Sequence, residues 1–142
     1  MKMPERIDPE LFAPCGMNCL VCYKHCLSPK PCAGCRAGDA GKPGHCRSCE
    51  IKSCAQARGA AHCYACSDYP CAPVRRLDAR YRARYGVSLV ESGQIARTLG
   101  VGTLLANQHA LYRCPHCGGV VSLHDRICSD CRRECAPCNQ DL

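Results

Sequence analysis

Residues 113–131 read Arg113-Cys-Pro-His-Cys-Gly-Gly-Val-Val-Ser-Leu-His-Asp-Arg-Ile-Cys-Ser-Asp-Cys131. Cys114 and Cys117 form one C-x2-C pair, and Cys128 and Cys131 form a second. Two such knuckles facing each other across a loop are how a chain builds a tetrahedral four-cysteine zinc site. Gly118 and Gly119, small residues behind the first knuckle, let backbone N–H groups turn toward the sulfurs. Val120, Val121, Ser122 and Leu123 read as a strand between the knuckles. The same spacing occurs upstream, as Cys32-x2-Cys35-x10-Cys46-x2-Cys49.

Sulfur chemistry dominates the rest of the chain as well. Eighteen of 142 residues are cysteine, above the ~8–10% that marks a chain stapled by cross-links. There is no Trp and a single Phe, Phe12. Between Cys15 and Cys71 the large aliphatic side chains are nearly limited to Leu20, Val21, Leu27 and Ile51. Such a segment cannot bury enough apolar surface to offset its chain entropy. Cross-links must substitute for the missing core.

Metal is favoured over disulfide. The opening Met1-Lys2-Met3-Pro4-Glu5-Arg6 leads into no apolar signal-like run. No apolar stretch approaches the ~18 residues needed to span a membrane. The expected compartment is the cytoplasm, where thiols stay reduced. The formal charge of +7 is then misleading. Each zinc held by four thiolates carries two negative charges, so several filled sites offset the arginines and lysines. Net charge alone gives no case for nucleic acid.

The chain divides by composition into a cysteine-rich module (12–72), a cysteine-free helical segment packing on it (73–112), the ribbon (113–132) and a tail (133–142) carrying Cys135 and Cys138. The first module reads as loops and turns, with one short helix around Cys54–Gly59. In the helical segment Val74, Leu77, Tyr81 and Tyr85 recur at helical spacing. Arg75, Arg76, Arg80, Arg82 and Arg84 occupy other positions. Gly86 ends that helix. Ser88-Leu-Val-Glu91 is a capping box, Leu89, Ile95 and Leu99 follow, and Gly100 is a C-cap. Leu104, Leu105, Gln108, Leu111 and Tyr112 make a third apolar stripe. These stripes are expected to pack on each other and on the metal modules. The arginine face is expected to be a solvated surface lying near anionic sites.

The twelve N-terminal cysteines divide in sequence order into three fours. These are Cys15, Cys19, Cys22 and Cys26; Cys32, Cys35, Cys46 and Cys49; and Cys54, Cys63, Cys66 and Cys71. With Cys114, Cys117, Cys128 and Cys131 they would hold about four zinc ions. A cross-braced grouping, in which alternate pairs share a metal, fits the same spacings. Four-thiolate sets also bind iron, so an Fe–S cluster at one or more N-terminal sites is the alternative. The ferredoxin run C-x2-C-x2-C-x3-C-P is absent. Cys15-x3-Cys19-x2-Cys22 has the spacing of radical-SAM enzymes, whose barrel needs a longer chain. His25, His45, His62 and His116 lie near cysteines, but so many thiols make a histidine ligand the minority reading. His109 and His124 have no evident partner. Cys135-Ala-Pro-Cys138 lacks the βαβ setting of a redox C-x-x-C. No nucleophile–base–acid constellation, P-loop or GxGxxG is present.

The strings Ala13-Pro-Cys-Gly-Met-Asn-Cys19, Cys32-Ala-Gly-Cys35, Cys49-Glu-Ile-Lys-Ser-Cys54 and Cys63-Tyr-Ala-Cys-Ser-Asp-Tyr-Pro-Cys71 resemble a prokaryotic family, domain of unknown function 3795. The resemblance continues through Arg76-Leu-Asp-Ala-Arg-Tyr81 and Tyr85-Gly-Val-Ser-Leu89 into the ribbon, over residues 12–132. It implies a soluble bacterial or archaeal protein that binds zinc and whose activity is not established. The family pattern does not firmly include Cys26, Cys135 or Cys138.

The expectation is a small, irregular α+β metalloprotein. A loop-rich module with several four-cysteine sites leads through helices to a zinc ribbon. Its expected role is that of a structural or adaptor module for another protein, not an enzyme. The alternatives are an Fe–S electron carrier, a nucleic-acid-binding zinc-ribbon protein and, with the least support, an enzyme with an open three-cysteine metal site at Cys15, Cys19 and Cys22.

Overall fold

The computed structural model describes residues 1–135. The cysteine-rich half is built from short pieces. Two 3-10 turns, Pro9–Leu11 and Cys19–Val21, precede helices α1 (Tyr23–Cys26), α2 (Gly44–Arg47) and α3 (Glu50–Ala57), and a third turn, Cys63–Ala65, follows them. Three longer helices follow: α4 (Ala72–Tyr85), α5 (Leu89–Leu99) and α6 (Val101–Leu111). The chain is helix-rich. Among the described residues β pairing is confined to isolated bridges, so the β part of the expected α+β description reduces to fragments. The strand expected at residues 120–123 is two bridges, Arg113 with Val120 and Val121 with Cys128. The knuckles turn the chain too tightly for a longer ladder. No helix among the described residues is long and apolar enough to cross a membrane.

The helical stripes form the core with the few aliphatic residues of the first module. Helix α5 packs on both α4 and α6. Leu89, Ala96, Leu104, Leu105 and Tyr112 are buried together with Phe12, Met17, Leu20 and Val21. Leu99, expected on a packed face, is 60% exposed. Gln108 sits within the α6 stripe because it has a partner: its Oε1 accepts a 3.0 Å bond from Asn18 Nδ2. Asn18 also caps the Cys19–Val21 turn, its Oδ1 accepting from Leu20 N at 3.1 Å. The helix core therefore positions Cys19 directly.

The junction between α4 and α5 departs from the expected capping box. Ser88 Oγ accepts from Glu91 N at 3.0 Å, as expected. The second cap comes from Asp78, buried on α4. Its carboxylate accepts from Ser88 Oγ at 2.8 Å and from Val90 N at 3.0 Å. Gly86 ends α4 at φ +67°, a left-handed conformation that glycine adopts freely.

Residues 1–3 lie along the ribbon. Lys2 bridges Gly119, Met3 N donates to Gly118 O, and Val120 N donates to Met1 O. Lys2 Nζ donates to Cys117 O at 2.6 Å and pairs with Asp130 at 2.5 Å. Composition gave no sign of this contact, because residues 1–14 show no periodicity. The ribbon is joined to the first module by Leu123 N donating to Val21 O at 2.9 Å.

Candidate metal centres

The four ribbon sulfurs converge. Those of Cys114, Cys117, Cys128 and Cys131 all lie within 4.8 Å of one another. Cys114 and Cys131 are 3.8 Å apart, and Cys117 and Cys128 are 3.5 Å apart. A tetrahedron with Zn–S bonds of ~2.3 Å has edges of about 3.8 Å, so the set fits a single zinc-sized ion. Each knuckle aims backbone donors at its sulfurs. Gly119 N donates to Cys117 Sγ at 3.3 Å, and Asp130 N to Cys128 Sγ at 3.4 Å. The residue after each knuckle takes positive φ, Gly118 at +78° and Arg132 at +63°. Burial works against ionisation of Cys114, but the N–H groups of His116 and Cys117 overcome it and lower its pKa. Such donors stabilise thiolate, the form that binds metal.

Cys135 also belongs here. It is buried, with its sulfur 3.8 Å from that of Cys114. By spacing alone Cys135 and Cys138 are a pair that belongs to none of the four-cysteine sets. Cys138 lies outside the described residues.

Cys54, Cys63, Cys66 and Cys71, grouped together from sequence, line one small cavity of about 60 Å³. Arg58 reaches across it, donating to Cys66 Sγ at 3.0 Å and to Asp68 at 3.2 Å. Helix α3 supplies Cys54, the Cys63–Ala65 turn supplies Cys63, and Cys71 is the N-cap of α4.

The other eight cysteines are not arranged as two successive fours. Cys15, Cys19 and Cys22 line a single cavity of about 390 Å³ together with Cys35, Cys46 and Cys49. Cys26 does not line it; it is buried in the hydrophobic core. Cys32 is buried at its margin, where Gly34 N donates to its sulfur at 3.4 Å. The interleaving follows from the loop after Cys19, which brings Cys35 N within 3.4 Å of Cys19 Sγ. Among the described residues, no three of these sulfurs approach one another as the ribbon sulfurs do.

This cavity has a basic rim and an aromatic wall. Lys24, Lys52, Arg76 and Arg80 line it, with Glu50. The arginine face of α4 thus turns partly toward thiols. Lys42, buried beside it, donates to Cys35 O at 3.3 Å and Ala37 O at 2.7 Å. A hydrogen bond with Cys19 lowers the pKa of Cys35, aided by Lys42 and Lys52 and opposed by burial. The same shared proton raises Cys19. Burial and the sulfurs of Cys35, Cys46 and Cys32 push Cys22 up to about 11. Tyr23, Tyr81 and His124 complete the wall.

The histidines mostly have partners other than metal. His25 Nδ1 lies 2.5 Å from Cys32 O, His62 Nε2 is 3.2 Å from Phe12 O, and His109 Nε2 is 2.8 Å from Pro4 O. His62 stacks on Tyr64. His45 lines the large cavity, and His116 is exposed.

The cysteines of both cavities fall within a segment that matches a family model. Residues 11–76 match the family described as Protein of unknown function (DUF3795). The family resemblance read from the cysteine strings is thus shown for this segment, which covers all three N-terminal cysteine fours. The match ends early in α4 and does not extend to the ribbon. No curated protein and no solved structure shows a significant match to the chain.

Proposed function

We propose that the protein binds zinc through Cys114, Cys117, Cys128 and Cys131, and that this zinc is structural. The convergence of four sulfurs at tetrahedral spacing carries the reading. When bound, the ion would cross-link two knuckles that have little apolar surface of their own. Structural zinc contributes on the order of 10 kcal/mol or more at neutral pH. Four protein ligands leave no open position for a substrate, which favours a scaffold over a catalyst. Cys54, Cys63, Cys66 and Cys71 are a second candidate: their sulfurs do not converge as the ribbon sulfurs do, but their shared cavity of about 60 Å³ has room for little more than one ion. The working role is an adaptor whose exposed surface is held in shape for another protein.

Elemental analysis of purified protein tests the metal, with zinc expected and the Cys117→Ser/Cys131→Ser variant losing one equivalent. Unchanged zinc in that variant would remove the ribbon site. Salt-dependent retention on immobilised nucleic acid would replace the protein-partner reading with a nucleic-acid one.

A further inference from the structure

We propose that the cavity lined by Cys15, Cys19, Cys22, Cys35, Cys46 and Cys49 is a site for a [4Fe–4S] cluster, separate from the ribbon zinc. The argument begins with spacing. Zinc–thiolate sites, whether they hold one ion or two bridged ions, place cysteine sulfurs on tetrahedral edges of about 3.8 Å. The ribbon has that geometry. The cavity does not: six sulfurs face a space of about 390 Å³, and no three of them lie mutually within 4.8 Å. A cubane supplies its own sulfides between the irons, so its cysteine ligands stand further apart than those of a single ion.

The chemistry of the lining agrees. Four cysteine thiolates hold such a cluster, and six are present. The ligated cluster is an anion, and Lys24, Lys52, Arg76 and Arg80 surround the space. Hydrogen bonds to sulfur tune these clusters, and Cys35 N already donates to Cys19 Sγ at 3.4 Å. Ala13, Met17, Ile51 and Leu77 give the wall an apolar portion. Cys35 joins the two groups of cysteines: it lines the cavity with Cys46 and Cys49, and its backbone N–H reaches Cys19 Sγ, so it is assigned as one of the four ligands.

The test is anaerobic purification and reconstitution of the full chain with sulfide and equal amounts of ferrous and ferric iron, which supply the oxidation level of the resting cluster. Iron, acid-labile sulfide and zinc are then measured, with visible absorption and electron paramagnetic resonance after reduction. About four irons and four sulfides per chain are expected. Cys35→Ser should lose most of both. Cys54→Ser, in the neighbouring small cavity, and Cys117→Ser/Cys131→Ser, in the ribbon, should retain both. These retained variants locate the cluster even if Cys35→Ser fails to fold. Iron without sulfide, zinc filling the cavity under these conditions, or loss of cluster in the ribbon variant would each overturn the proposal. Loss of ribbon zinc with iron retained separates this site from the zinc reading, so either can fail alone.

Discussion

The hydroxyl of Tyr81 lies 2.9 Å from Nε2 of His124, joining helix α4 to the loop between the ribbon knuckles. The imidazole is surrounded edge-on by Tyr23, Tyr81 and Tyr85, and its Nδ1 is buried without a hydrogen-bond partner. Burial lowers the pKa of His124, and burial with the nearby Arg36 charge lowers that of His62. The unfolded chain therefore binds these protons first on acidification. Stability is fully present above the ordinary histidine value of about 6.5 and falls as pH drops toward the folded values. Thermal unfolding of the metal-loaded protein should show a midpoint that declines below that pH. Cysteine sites also lose metal in acid, so the control is a His62→Asn/His124→Gln variant, whose decline should be shallower.

Gly119 has no room for a side chain. A Cβ there would stand 2.6 Å from Cys128 Sγ and 2.9 Å from Asp130 Cβ. Gly119→Ala should push the knuckles apart and disturb the N–H···S bond to Cys117. Competition against a chromophoric chelator should show zinc affinity at the ribbon reduced roughly tenfold or more.

Both fold and site were legible where chemistry repeats in sequence. The ribbon spacing located four converging sulfurs, and helical periodicity located α4, α5 and α6. Two features were not legible. The mixing of Cys15, Cys19 and Cys22 with Cys35, Cys46 and Cys49 depends on a loop returning Cys35 to Cys19, and spacing cannot show which way a loop returns. The role of Asp78 was hidden because a carboxylate on an arginine-rich helix reads as a surface charge. Only the tertiary arrangement shows it accepting the Val90 N–H in the first turn of α5 and the Ser88 hydroxyl that caps that turn.

Asn18 and Gln108 offer a measurement of how firmly the helices hold the cysteine-rich half. Their bond is buried and spans 90 residues of sequence. Removing one partner leaves the other unsatisfied, at about 1–3 kcal/mol. Asn18→Ala also removes a cap, which costs ~1 kcal/mol in addition. Denaturant unfolding of the metal-loaded protein should rank Asn18→Ala as more damaging than Gln108→Ala, and the double variant should fall short of the sum.

Gly93, in the middle of α5, is where Tyr69 crosses the helix to donate to Val90 O at 3.1 Å. A Cβ at Gly93 would overlap the Tyr69 ring and hydroxyl. Although alanine favours helix, Gly93→Ala should destabilise by about 1–3 kcal/mol through overpacking. Adding Tyr69→Phe should recover part of the loss, as read by the shift in unfolding midpoint.

The clasp of residues 1–3 over the ribbon sets an order in time. Lys2 and Cys117 are separated by 115 positions, whereas the knuckles can meet within a segment of about twenty residues as soon as the second is made. Loops that short close far sooner than distant ends find each other. Residues 1–3, made well before the ribbon, therefore dock only after its knuckles have met, and until they do the ribbon edge at Gly119 and Val120 stays open to any other strand.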